Sequence, residues 1–151
     1  VKLAEDIKAA KRVYLAGNGG SAANAIHIAN DLVACGIRAH SLTADVATLT
    51  AIANDFGYEQ VFARQIAVFG EPGDLLLVLS GSGKSPNILF ALGKARELGV
   101  KSWGLFGAWN GLHAMAKLAD CCIIFGKDMQ EAEDHQLTVG HDVLRWLKAN
   151  R

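Results

Sequence analysis

Two short segments are rich in residues that bind anions. Gly17-Asn18-Gly19-Gly20-Ser21 follows the β-rich run Arg12 to Ala16, and Ser80-Gly81-Ser82-Gly83-Lys84-Ser85 follows the apolar run Asp74 to Leu79. Each segment then opens onto a stretch that reads as a helix. A helix start offers unpaired backbone N–H groups and a partial positive charge. Glycine lets the backbone come close to an anion, and serine adds a hydroxyl donor. A phosphate monoester is the ligand such loops suit. The first loop is not the nucleotide P-loop, because it lacks the Lys-Ser/Thr pair after its last glycine. The first loop is not the dinucleotide fingerprint either, since Ala22 stands at the third glycine position and no acidic residue closes a second strand.

The elements that must position these loops alternate. Helix-like stretches are expected over 3–11, 20–34, 46–53, 58–69, 86–98, 111–119 and 132–149. Strands are expected over 12–16, 37–42, 74–79, 101–106 and 121–125. Alternation at this spacing implies an α/β fold, a three-layer α/β/α sandwich around a mainly parallel five-stranded sheet. At 151 residues, 51% of them hydrophobic, the chain suits one domain spanning 1–151. Fifteen basic residues balance fifteen acidic ones, which excludes a nucleic-acid binder working by bulk charge. Cys35, Cys121 and Cys122 form no disulfide framework, and no membrane span or signal peptide is visible, so a reducing, cytoplasmic setting is expected. Cys121 and Cys122 read as core filler.

Several motifs together resemble the sugar isomerase (SIS) domain family, and within it the phosphoheptose isomerases. They are Gly-Asn-Gly-Gly-Ser with His27 six residues on, Asn54-Asp55-Phe56-Gly57, the serine loop with Pro86-Asn87, and Glu133-Asp134 followed by His141. The resemblance runs over about 12–148. It implies phosphate contacts from Ser80, Ser82 and Ser85 and sugar contacts from Asn18, Ser21 and Asp55, with Gly19, Gly20, Asn54 and Gly81 completing the substrate site. It also implies a divalent metal, usually zinc, held by His27, Asp31, Glu133 and His141. A homotetramer with sites between subunits is implied as well. The family's long first helix falls mostly outside this chain, which begins at Val1.

The residues themselves support the first half of that metal set. His27 and Asp31 stand i,i+4 on one face of the helix that starts at Ser21, and Asn24 lies on the same stripe. A His and a carboxylate one turn apart are good ligands for a divalent ion. Glu133 and His141 are eight residues apart, a rise of about 12 Å in a regular helix. Either Glu133 precedes the helix, or the two serve sites in different subunits. His135 and Gln136 are the neighbouring alternatives, while His40 and His113 read as surface or structural residues.

Aldose–ketose interconversion moves a proton between adjacent carbons through an enediol, which calls for a base, an acid and a stabilised oxyanion. Asp31 and His141 are the candidates for base and acid. The expected substrate is sedoheptulose 7-phosphate, converted to a heptose 7-phosphate for surface-polysaccharide or lipopolysaccharide precursors. The alternative is a non-catalytic SIS protein, either a phosphosugar-binding regulator or a partner of the replication initiator protein. Departures from the family include aspartate rather than glutamate at position 31 and an apolar turn at Phe106 to Gly111. Trp103 and Trp109 in that region suggest packing or a subunit contact.

Overall fold

The computed structural model describes residues 1–108 and 114–151. The run Leu75–Ser80 is buried along its whole length and forms the central strand, β3. A strand apolar on both faces is what a parallel sheet covered by helices requires. Its neighbours are β1 (Val13–Ala16) on one side and β4 (Lys101–Gly107) on the other. Two edge strands, β2 (Ala39–Ser41) and β5 (Cys121–Phe125), complete the order β2-β1-β3-β4-β5. Every pairing is parallel, so the sheet is wholly rather than mainly parallel.

Side chains alternate across this sheet and divide the core in two. Val13, Leu15, Leu75, Leu77, Leu79, Trp103 and Leu105 face one way. They pack on α1 (Lys2–Ala9), α2 (Gly20–Ala34) and α7 (Met129–Ala149). Tyr14, Leu76, Val78 and Phe106 face the other way. There they meet α4 (Ala63–Phe69), α5 (Pro86–Leu98) and α6 (Ala114–Leu118). The result is the expected α/β/α sandwich. Trp103 is a packing residue, buried and donating its indole N–H to Asp6 over 2.8 Å.

The structure departs most from the sequence reading at three places. The stretch 58–69 is not one helix. Val61 and Phe62 turn fully into the core, and only a 3₁₀ turn, Tyr58–Gln60, precedes them. Helix α3 (Val46–Phe56) runs a turn further than expected and ends at Gly57, whose φ is 95°. Helix α7 starts at Met129 rather than 132, because the Asp128 carboxylate accepts the N–H of Glu131 at 2.8 Å and caps it. Trp109, the turn to Gly111, and His113 lie outside the described residues. Cys121 and Cys122 are half-buried on the edge strand, with their side chains on opposite faces.

Candidate active site

The strand order changes direction between β1 and β3: one chain crossover leads outward to β2, the others to β4 and β5. In open parallel sheets the crevice at such a switch point, beyond the carboxyl ends of the strands, is where ligands bind. The glycine loop leaves β1 and the serine loop leaves β3, so the two loops are neighbours in space.

Local chemistry shapes each loop. Gly17 has no room for a side chain, since a Cβ there would lie 2.6 Å from the carbonyl oxygen of Ser21. Gly19 caps α2 at φ 56°, in the region that favours glycine. In the serine loop, Ser80 Oγ accepts the Gly83 N–H at 3.1 Å, and Ser82 Oγ accepts the Lys84 N–H at 3.3 Å. Ser85 stands at the cap of α5, ahead of Pro86, without using its own hydroxyl as a cap. Together Asn18, Ser21, Leu79, Ser80, Gly81, Ser82, Ser85 and Met129 line one cavity of about 80 Å³. Most of the predicted substrate residues therefore converge on a single small, hydroxyl-rich space.

Two members of that cavity are held by partners the sequence reading did not single out. The Asn18 and Asn87 amides pair head to tail, each donating to the other at 2.9 Å, and Tyr58 Oη donates to Asn18 Oδ1 at 2.8 Å. Asn87 is buried in the first turn of α5. Met129 packs its sulfur against Gly81, where a Cβ would be only 2.3 Å away. The Ser-Pro-Asn motif hinted at Asn87, but nothing local marks Tyr58 or Met129. Asn54 and Asp55 do not line the cavity. They sit exposed on the last turn of α3, with Asn54 Nδ2 donating to Asp55 Oδ1 at 3.0 Å.

The second cluster lies further along α2. His27 Nε2 is 3.4 Å from Asp31 Oδ2 and 3.1 Å from His141 Nε2, while His141 Nε2 is 3.9 Å from Asp31 Oδ2. The three donor atoms fall within 4.8 Å of one another. Donors about 2.0–2.1 Å from a tetrahedral metal lie roughly 3.4 Å apart, so this trio fits a divalent ion. Helix packing brings them together. Gly140 lets α7 press against Ile28, with only 2.6 Å between a hypothetical Cβ and Ile28 Cγ1. Asn24 Nδ2 donates to the Glu133 carbonyl at 2.9 Å and to Gln136 Oε1 at 3.1 Å, which fixes the register.

Glu133 is not part of this trio. It lies inside α7, two turns before His141, so it does not precede the helix. Its carboxylate rests on Gly20, with Cδ and both oxygens 2.4 Å from where a Cβ would stand. His135 is elsewhere too, stacked on Phe125 with ring centroids 5.2 Å apart.

Known proteins resemble this chain in sequence and in fold. Residues 2–107 match the SIS domain family. The chain is 44% identical to a phosphoheptose isomerase of a Bradyrhizobium strain, over 98% of this chain and 77% of that protein. Its fold superposes on the phosphoheptose isomerase of Francisella tularensis with a TM-score of 0.89 at 29% identity, covering 98% of this chain and 83% of that one. The enzyme from Neisseria gonorrhoeae follows at a TM-score of 0.86 and 27% identity, covering 97% and 81%. With the paired loops at the switch point, the trio on α2 and α7, and these relatives, the chain belongs to the SIS domain family and is an isomerase within it.

Proposed function

We propose that this protein interconverts sedoheptulose 7-phosphate and a heptose 7-phosphate. The reading is carried by one relation: the cavity and the trio lie at two points of one helix. From Ser21, in the cavity wall, to His27 is six residues, a rise of about 9 Å. An extended chain advances about 1.2 Å per bond, so the path from phosphorus to C2 of a ketose 7-phosphate covers roughly 8–9 Å. A pentose 5-phosphate covers only about 6 Å on the same count. A seven-carbon sugar with its phosphate among the serines thus brings its reacting carbons to the trio.

The chain's own groups have distinct tasks in this reading. Ser21, Ser80, Ser82 and Ser85 hold the phosphate with hydroxyls and loop amides, which permits release. The backbone at Gly19, Gly20 and Gly81 lets the sugar approach, and Asn18 keeps the two loops in register. Asn54 and Asp55, exposed at the end of α3 and outside the cavity, are the remaining candidates for sugar contacts in this reading. His27, Asp31 and His141 would hold a divalent metal, zinc by the chemistry of the donor set. Such an ion supplies Lewis acidity toward the carbonyl and neighbouring hydroxyl oxygens. The Asp31 carboxylate and the His141 imidazole form the acid–base pair: one takes the proton from one carbon and the other serves the oxygens.

A phosphosugar sensor needs the loops but has no use for the trio, so the trio favours the enzyme over the regulator. A homotetramer is also part of the proposal. Helix α3 is rich in apolar residues, yet none of them is buried in the single chain. Val46, Phe56, Tyr58, Val68 and Phe69 are all exposed around it. A second copy covering this surface gives it a core. Among the described residues, no helix is long and apolar enough to cross a membrane.

The test is direct. Incubation of the metal-loaded protein with five-, six- and seven-carbon ketose phosphates, followed by NMR of the products, is expected to show an aldose from the seven-carbon substrate. Absence of any aldose from all three would end the isomerase reading.

A further inference from the structure

Tyr58 is 58% exposed, yet its hydroxyl has a definite partner. It opens the 3₁₀ turn Tyr58–Gln60, and the chain is fixed on both sides of it. Gly57 turns the backbone at φ 95° just before, and Val61 and Phe62 are buried just after. From there the phenol reaches the glycine loop, 40 residues back in sequence, where Oη donates to Asn18 Oδ1 at 2.8 Å. The same oxygen accepts the Asn87 amide at 2.9 Å, and Asn18 Nδ2 donates to Asn87 Oδ1 at 2.9 Å. Asn87 lies two residues past Ser85 and is buried in the first turn of α5. One chain of three side chains therefore joins the segment after α3, the glycine loop and the start of α5. Asn18 and Ser85 line the cavity, while Tyr58 and Asn87 are not among its lining residues.

We propose that Tyr58 is a positioning residue for the phosphate end of the ligand, acting through Asn18. A side-chain amide carries two acceptor sites and two N–H donors. Tyr58 and Asn87 occupy both acceptor sites of Asn18, and Asn87 takes one of its donors. The group left for a ligand is one N–H, so Asn18 meets the cavity as a donor. That suits an ionised phosphate, whose oxygens accept. The Asn18–Asn87 pair alone can turn over as a unit and keep both of its mutual bonds, which would present an acceptor instead. The phenol, donating to Oδ1, favours the arrangement that leaves the N–H free. It also holds Asn18 in place before the ligand arrives, and a group already ordered costs less to engage. The proposal rests on the phosphate reading of the cavity, not on which sugar is converted.

Tyr58→Phe in the full chain tests it, because that change removes the hydroxyl and keeps the ring on the surface. It is compared with wild type, Asn18→Ala and the double variant by calorimetry with inorganic phosphate, by steady-state rates with sedoheptulose 7-phosphate, and by gel filtration. Tyr58→Phe is expected to weaken inorganic phosphate about threefold to tenfold and to raise KM by a similar factor, with kcat little altered and elution as for wild type. In the Asn18→Ala background the same change is expected to add less than about twofold, because the group it acts through is gone. Unchanged phosphate affinity in a Tyr58→Phe protein that still converts the sugar would overturn the proposal and leave the isomerase reading intact. A loss that persists in full without Asn18 would overturn it as well, since Tyr58 would then act through another contact. A loss that comes with altered elution would replace it with a role in subunit assembly. The expected loss of phosphate affinity in a protein that converts none of the ketose phosphates would support the proposal and remove the isomerase reading.

Discussion

The loop cavity and the histidine–aspartate trio are built in opposite ways. The cavity is made mainly by two βα turns, each of them local in sequence, and serines and glycine supply most of its wall beside Asn18, Leu79 and Met129. Ser21 and Ser80 are buried, Gly17 is set by a hard contact with the Ser21 backbone, and Gly81 lies under the Met129 side chain. The trio is made of long side chains on the outer part of two helices, and His27 and His141 are 114 residues apart. All three remain partly accessible. The cavity is stiff because the fold itself forms it. The trio depends on the register of α2 against α7, and it stands on a surface that a ligand or a second subunit can reach.

The largest expected effect separates the two regions by function. His141→Ala should lower the isomerisation rate about a thousandfold or more while leaving inorganic-phosphate affinity unchanged. Rate assays paired with calorimetry check this; an unchanged rate would remove His141 from the acid–base pair. Next comes the stiffness of the cavity. Gly17→Ala drives a methyl group into the Ser21 backbone, which cannot swing aside as a side chain can. A loss of about 2–3 kcal/mol in urea unfolding is expected; no loss would mean the loop is more pliable than its contacts imply.

A milder change should touch the cavity alone. Ser85→Ala removes one hydroxyl that caps nothing, so stability should hold and KM should rise about tenfold with kcat little altered. A fall in kcat at constant KM would tie the serine loop to the chemical step instead.

The smallest effect lies at the far end of the sheet and serves as a control. Burial alone would raise the Asp6 carboxyl, but hydrogen bonds from Lys101 and Trp103 and the Lys101 charge hold it below its ordinary value. A carboxyl whose pKa is lowered by folding stabilises the protein above its unfolded pKa, and this is lost as pH falls through the folded value. Asp6→Asn should therefore cost about 1 kcal/mol at pH 7 and less at pH 3. Urea unfolding at the two pH values measures it, and an equal cost at both would remove the charge from the account.

The layers of the molecule were legible because their signals are local. A fully apolar run bounded by glycines, such as Leu75–Ser80, reads as a buried parallel strand, and helix starts at Gly20 and Pro86 follow from the residues beside them. The less legible boundaries were those settled by packing. Phe62 ends up in the core rather than on a helix, and nothing in its immediate neighbours requires that. In the site, i,i+4 spacing pairs His27 with Asp31, but no spacing connects either to His141.

The sequence by itself therefore determined the α/β alternation, the two glycine- and serine-rich turns and one half of the metal-type cluster. Each of these depends on residues within a turn or two of one another. Only the tertiary structure decided that the turns share one cavity, because β1 and β3 become neighbours through the strand order. It also brought His141 to His27 and put Glu133 on Gly20, because Gly140 and Asn24 set how closely and in what register α7 lies on α2.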